Sequence, residues 1–381
     1  MARAFIIAGE PSGDKLAAAL MKAASPDITQ WSGVGGPMMV AQGLPYSDDY
    51  ELLHIIGWFE ALRQYRALKK LLFRLVDEAA TMRPEVIFTV DSKAFSLRFA
   101  QEIKKRMTIE GWHAPIIHMV APTIWAYGAG RKTAFEDNFD AMLCLFPMEP
   151  ALFDQSALQT LFIGHPAAYE CQPQKRIYKE DEVTHLALLP GSRRSEMAKL
   201  LPAFLRSAAS LQKYNQLEIT IATLPHLEAM AHRYCKMIGV DAKIVTGQEA
   251  LTKTLNNAHL MMASSGTVTL ETALTALPGL VGYRLNWVMT KVMKWRFKQP
   301  DPILPNIIYG APIYPFFLNQ QLDGIKLTAA ATILLTNYED KQIEHYHQAQ
   351  SLQKMLKADA PDFETAIHKA LLSLGIKKGS S

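Results

Sequence analysis

The feature that most constrains this chain is its rhythm. Short apolar runs alternate with amphipathic stretches of ten or more residues, and the alternation starts twice. In the first half the runs fall at residues 4–8, 86–90, 116–120, 141–145 and 162–163. In the second half they fall at 186–189, 219–222, 243–245, 260–263 and 279–283. Runs with no polar alternation have no solvent face, so they predict parallel strands covered by helices on both sides. Between the halves, residues 169–185 are polar, charged and proline-bearing, as a linker reads. The expected fold class is α/β: two Rossmann-like, doubly wound domains facing each other across a cleft. The expected boundaries are 1–168 for the first domain, 186–340 for the second and 341–381 for a C-terminal helical tail.

Composition narrows the function classes. With 381 residues, 49% hydrophobic and 20% charged, the chain is a packed globular protein and not a disordered or collagen-like one. No apolar run approaches the ~18–20 residues of a spanning helix. The stretch before Gly9 carries one basic residue, Arg3, and is too short for a secretory signal, so a cytoplasmic location is expected. Cys144, Cys171 and Cys235 are odd in number and contain no C-x-x-C pair, which argues against a disulfide framework or a thiolate zinc site. Forty basic against 36 acidic side chains give a net charge of +4, too even to expect nucleic acid as a partner. There is no H-E-x-x-H and no D-x-D at a strand end, and Asp48-Asp49 lies in a loop, so neither metal nor cofactor is expected.

In doubly wound sheets, ligands sit outside the carboxyl ends of the strands, so the turns there are the candidate sites. Pro190-Gly191-Ser192-Arg193 leads from a strand into a helix. Gly191 permits close backbone approach, the helix start favours a phosphate, and Arg193 adds a charge-assisted contact. The same residues also fit a plain turn capped by Ser192. Ser264-Ser265-Gly266-Thr267 repeats the device, with Glu271 one turn into the next helix and suited to a ribose diol. Helix capping explains these residues equally well taken singly. Together, the two turns suit opposite ends of one nucleoside diphosphate.

Gly9-Glu10-Pro11-Ser12-Gly13-Asp14 is not a Walker loop, and no G-x-G-x-x-G follows a strand. It fits a sugar-hydroxyl site, or a turn that needs no ligand. Asp91 ends a strand buried on both sides, the place for a general base or for a helix N-cap. Residues 284–298 are basic and aromatic: Lys291, Lys294 and Lys298 share a helical face, with Trp287 and Trp295 among the remainder. This pattern suits a membrane surface, though a core helix with a solvated lysine stripe has the same pattern. Residues 55–62 add an apolar loop that could receive an acyl chain or simply pack.

Taken in order, Ala8–Asp14, Val90-Asp91, Ala121-Pro122-Thr123-Ile124-Trp125-Ala126, Gly164-His165-Pro166, Leu188–Arg193, Ser265-Gly266-Thr267 with Glu271, Gly282-Tyr283-Arg284 and Leu304-Pro305-Asn306 resemble the lipid-A-disaccharide synthase family. The resemblance covers roughly residues 4 to 330 and rests on eight motifs in sequence, none specific alone. It implies a GT-B fold with the nucleotide in the C-terminal domain. The implied reaction transfers 2,3-diacylglucosamine from UDP-2,3-diacylglucosamine to 2,3-diacylglucosamine 1-phosphate (lipid X). It implies Asp91 as general base, with Gly191, Ser192, Arg193, Ser265, Gly266, Thr267, Glu271 and Asn306 on the donor. Glu10, Ser12, Gly13, Asp14 and Trp125 fall on the acceptor side. The family is peripheral on the cytoplasmic face of the inner membrane, which matches Trp287, Lys291, Lys294, Trp295 and Lys298 as membrane contacts. The same stretch could instead pack against a second subunit, so a homodimer stays open.

The chain departs from the family pattern in three places. Lys93-Ala94-Phe95 stands where a second acidic residue is common, Gly128 follows Tyr127 where an arginine is common, and Phe316 and Asn319 replace the usual Pro-Glu and Gln. Other readings on the same fold are a UDP-sugar epimerase, a peptidoglycan-type transferase, or a lipid-binding protein without catalysis.

Overall fold

The computed structural model describes residues 2–53, 65–122, 130–179, 182–284 and 303–376. The chain separates into two compact units, Met1–Pro166 with Leu356–Ser381, and Ala167–Met355. Each is built on one six-stranded sheet in which every pairing is parallel.

In the first unit the strands are β1 (Ala2–Ala8), β2 (Ile28–Val34), β3 (Val86–Val90), β4 (Ile116–Met119), β5 (Ala141–Cys144) and β6 (Gln159–Phe162), in the order β2-β1-β3-β4-β5-β6. Central strands β3, β4 and β5 are buried at every position. That is why their sequences are uninterrupted apolar runs: with helices on both faces there is no solvent side to mark with a polar residue. Phe5 of β1 stacks on Phe99 of the helix Lys93–Glu110, ring centroids 5.9 Å apart and ring planes nearly parallel. Fully burying a side chain of this size contributes about 1.5–3 kcal/mol.

The second unit carries β7 (Thr184–Leu189), β8 (Leu217–Thr223), β9 (Lys243–Thr246), β10 (Leu260–Ser264), β11 (Gly279–Tyr283) and β12 (Phe316–Leu318), in the order β12-β11-β10-β7-β8-β9. The helix Arg194–Leu211 lays Met197, Leu200, Leu201 and Phe204 against this sheet, all fully buried.

The sequence rhythm missed both edge strands at one end of each order, β2 and β12. Strand β2 is buried only at Ile28, Trp31 and Val34, a spacing of three that matches neither strand nor buried-run patterns. Its Gly33 has φ +126°, and a Cβ there would lie 2.0 Å from the Ile6 carbonyl oxygen. The glycine is what lets β2 close on β1. Strand β12 has only three residues. The stretch 341–381 is divided: the helix Phe363–Ser373 packs on Pro11–Ala24 of the first unit, with Lys22 paired to Glu364 at 2.9 Å and His368 Nδ1 3.0 Å from Ala23 O.

Three buried titratable groups of the first unit contribute to its response to acid. His118 lies in β4, its Nδ1 2.7 Å from Thr89 Oγ1 and its ring against Phe135 and Phe139. Burial, and then the charge of Lys93, push its pKa down to about 3. Burial also lowers His165 to about 4. Glu149 accepts hydrogen bonds from the Leu145 and Phe146 amides, both 3.0 Å, yet burial outweighs them and raises its carboxyl to about 7. The histidines stabilise the fold above their unfolded value near 6.5, and that stability is lost as pH falls toward 4. Glu149 acts oppositely, since its contribution is full at low pH and fades as pH rises through 7. Two histidines outweigh one carboxyl by about one proton, or about 1 kcal/mol per pH unit. Urea midpoints for the first unit should therefore fall between pH 6.5 and 4.5, and His165→Phe should flatten that slope. A midpoint that rises with acidification would contradict this balance.

Candidate active site

In the second unit the carboxyl ends of five strands enclose a cavity of about 570 Å³. After β7, Gly191, Ser192 and Arg193 line one side; after β10, Ser264, Ser265, Gly266, Thr267 and Val268 line the other. The two sequence motifs, some seventy residues apart, thus face one space. Parallel pairing of β7 with β10 brings them together, Leu189 opposite Ala263.

The local geometry of the first loop shows why its residues are what they are. Gly191 has φ +100°, and a Cβ would come 2.5 Å from Glu196 Oε2 and 3.3 Å from Ser264 Oγ. Only glycine lets the loop fold over both. Arg193, not Ser192, is the N-cap of the helix Arg194–Leu211, with no side-chain cap bond, so the Ser192-capped turn is not what forms. Arg193 Nη1 stands 3.5 Å from Glu196 Oε1 with its side chain 62% exposed, a cation tethered at a helix start. That position has the charge and the N–H direction that favour an anion.

Two expected donor residues lie outside the lining. Glu271 sits one turn into the helix Val268–Leu274, half-buried. Asn306 is the other. Its Nδ2 donates to Tyr314 O at 3.0 Å, and its Oδ1 accepts from the Ile313 and Tyr314 amides at 2.9 and 3.1 Å. It is buried and holds the loop that follows its own helix, Leu304–Tyr309. Conversely, Glu196, Thr223, Leu224, Pro225, Gly247, Gln248 and Leu251 line the cavity without having been singled out. The strand-end rule applied to β8 and β9 points to most of them, because they follow those strands directly.

In the first unit the carboxyl end of β3 is an elbow. Asp91 and Ser92 both have left-handed backbones, φ +52° and +42°. Such residues cost about 1–3 kcal/mol each and persist only where neighbours enforce them. Here the Asp91 amide donates to Met119 O (3.0 Å), Ser96 Oγ donates to Asp91 O (2.9 Å), and the Phe95 and Ser96 amides donate to Ser92 O. The Gly9–Asp14 turn lies alongside. A Cβ on Gly9 would be 2.6 Å from Ser92 Oγ, and one on Gly13 would be 3.6 Å from Asp91 Cβ. Glu10 and Ser12 are exposed beside the elbow at the start of the helix Pro11–Ala24. Asp14 is buried, and its carboxylate accepts the Met38 and Met39 amides at 2.9 and 3.1 Å. It anchors the short helix Pro37–Val40. The Asp91 side chain is 21% exposed, with Lys93 Nζ 3.8 Å from Oδ1.

Trp125 lies outside the described residues, as do Trp287, Lys291, Lys294, Trp295, Lys298 and Gly128. Among the described residues, no helix is long and apolar enough to cross a membrane.

Replacing Gly191 by Ala should displace Glu196 and strain the loop, weakening UDP binding by about tenfold or more, since a left-handed backbone disfavours a Cβ. Isothermal titration with UDP tests this; unchanged affinity would detach the loop from the ligand.

Solved structures of the same architecture include MurG of Acinetobacter baumannii (TM-score 0.57, 12% identity, 97% of this chain and 99% of that one). UDP-GlcNAc 2-epimerase of Neisseria meningitidis bound to UDP-GlcNAc aligns with TM-score 0.58, 13% identity, and 99% and 100% coverage. At such identity they show the fold, GT-B, and no more. Sequence relatives are more informative. The lipid-A-disaccharide synthase of Idiomarina loihiensis is 30% identical over 355 residues, 90% of this chain and 91% of that protein. That of Rhodopseudomonas palustris is 32% identical over 343 residues, 87% and 86% of the two. A model of the lipid-A-disaccharide synthetase family matches residues 4–370. With that match spanning both sheets, the chain belongs to the lipid-A-disaccharide synthase family of glycosyltransferases.

Proposed function

We propose that this chain joins two acylated glucosamines: 2,3-diacylglucosamine passes from UDP to the 6-hydroxyl of 2,3-diacylglucosamine 1-phosphate, with inversion, giving a β-1,6 disaccharide 1-phosphate and UDP. The observation that carries the reading is the second-unit cavity, where Gly191–Arg193 and Ser264–Val268 converge on one space. It has room for a nucleoside diphosphate, an exposed arginine at a helix start, and hydroxyl-bearing residues opposite. Leu224 and Leu251 supply an apolar part of the wall suited to a base. The epimerase and MurG likenesses share the fold at 13% identity or below, whereas the family match runs through residue 370, which favours the disaccharide-forming reaction.

The mechanism is a single displacement. Asp91 takes the proton of the acceptor hydroxyl as its oxygen attacks the anomeric carbon of the donor. The bond from that carbon to the β-phosphate oxygen breaks, and its electron pair leaves with UDP. Arg193 and the amides at the start of Arg194–Leu211 meet the charge that develops on the diphosphate. Fixed donors of this kind contribute about 3–4 kcal/mol each when placed on the charge that forms. Asp91 suits its part because the elbow projects it from a strand end whose preceding residue, Val90, is fully buried. Substrates bearing acyl chains lie at a lipid surface, and the basic, aromatic composition of residues 287–298 supports a peripheral contact there, on the cytoplasmic face of the inner membrane.

Incubation with both acylated glucosamines should release UDP and yield a disaccharide by mass spectrometry; hydrolysis or epimerisation alone would overturn the reading. Asp91→Asn should lower turnover about 10²–10⁴-fold, the scale of acid–base catalysis, with UDP affinity nearly intact. Arg193→Ala should weaken UDP by calorimetry, by about tenfold or more for a lost charge-assisted contact. An unaltered affinity would remove Arg193 from the diphosphate.

A further inference from the structure

We propose that Lys93 is a positioning residue that holds the general base: its ammonium engages Asp91 Oδ1 and leaves Oδ2 directed to the acceptor hydroxyl. The inference rests on the reading of Asp91 as the base.

Three observations carry it. First, the Asp91 side chain has little else to orient it. Its backbone is pinned through the Met119 carbonyl and the Ser96 hydroxyl, but among the described residues its carboxylate accepts no hydrogen bond, and Lys93, 3.8 Å from Oδ1, is the cation that reaches it. With the two side chains 21% and 30% exposed, the pair is partly withdrawn from water, where an ion pair restrains geometry more firmly than on an open surface.

Second, Lys93 is where local electrostatics disfavours a lysine. It opens an 18-residue helix, Lys93–Glu110, whose first turn holds no acidic residue. The positive end of the helix dipole repels an ammonium there and would welcome a carboxylate. A residue that breaks a local rule at a strand end, beside a strained elbow, marks a site where something other than stability selects it.

Third, Lys93 follows the carboxyl end of β3, and its charge lowers the pKa of buried His118 in β4 and of buried Glu149 after β5. Glu149 offers its Oε2 to the Leu145 and Phe146 amides. That leaves Asp91 as the carboxylate in ion-pair contact with Lys93.

The consequence for the reaction is geometric. As the acceptor oxygen bonds to the anomeric carbon and UDP departs with the electron pair of the broken bond, the acceptor proton passes to Oδ2. Lys93 keeps its own proton throughout and prevents Asp91 from rotating away.

The test measures kcat and acceptor KM for Lys93→Gln and Lys93→Arg, each with Asp91 present and in the Asp91→Asn background, with thermal unfolding to confirm the fold. Lys93→Gln should lower kcat about tenfold, within the range for coupled neighbours, and leave acceptor KM within about twofold. Lys93→Arg should recover most of that loss, which a merely structural role would not require. In the Asp91→Asn background, Lys93→Gln should cost nothing further, because the partner it holds is no longer a base. An unchanged kcat would overturn the proposal, as would a fully multiplicative loss in the double variant. A large rise in acceptor KM at constant kcat would also overturn it, and would assign Lys93 to the acceptor's phosphate. If Asp91→Asn alone keeps a normal rate, it is the base assignment that fails, and that result is visible without any Lys93 variant.

Discussion

Parallel pairing of strands buried on both faces is the constraint on which the rest of this molecule depends. A parallel neighbour is reached only by crossing over the sheet, so each strand must be followed by a loop and a helix before the next begins. Every loop that leaves a strand's carboxyl end therefore opens on the same edge. In the first unit that edge collects Gly9–Asp14, Asp91 and Gly164-His165; in the second it collects Gly191–Arg193, Thr223–Pro225, Gly247-Gln248 and Ser264–Val268. The chemistry is assembled by topology before any side chain makes a contact. The interior that enforces this is apolar and closely packed, with Phe5, Ile6, Phe88, Phe99 and Phe204 fully buried.

Backbone strain marks the carboxyl end of β3. Two consecutive left-handed residues, Asp91 and Ser92, cost a few kcal/mol between them and are held by a hydrogen bond to the Met119 carbonyl and by hydrogen bonds from Phe95 and Ser96. Gly9 makes the elbow possible in another way, by having no side chain where Ser92 approaches. The turn has a structural duty: Gly9 admits the elbow, and Asp14 ties down the next helix through the Met38 and Met39 amides. Glu10, Pro11 and Ser12 are the exposed residues of that motif.

The elements that were legible in the sequence are those whose signal is one-dimensional. Buried central strands read as apolar runs, and the glycine-bearing turns that follow them read as candidate sites; Gly191–Arg193 and Ser265–Thr267 duly share one cavity. Edge strands carry no such signal. Strand β2 is polar along much of its length, and β12 is too short to register. Polar residues were harder. Asp14 and Asn306 have the chemistry to bind a sugar nucleotide, and identical chemistry to satisfy backbone amides. For Asp14 the partner is not encoded nearby in the chain, since Met38 lies 24 residues away. Glu196 went unnoticed because its place under Gly191 depends on how a helix start folds back on the loop before it.

By itself the sequence determined the class of fold, the doubling of the sheet, the family and the order of the motifs along the chain, because burial on two faces and turn chemistry are written residue by residue. Only the tertiary structure decided which polar groups line the second-unit cavity and which are hydrogen-bonded internally. A hydrogen bond is settled by distance and direction between atoms that folding brings together from far along the chain. The pairing of Lys93 with Asp91 is of the same kind: the sequence shows a lysine two residues from an aspartate, and the left-handed elbow between strand and helix brings the two charges within 3.8 Å.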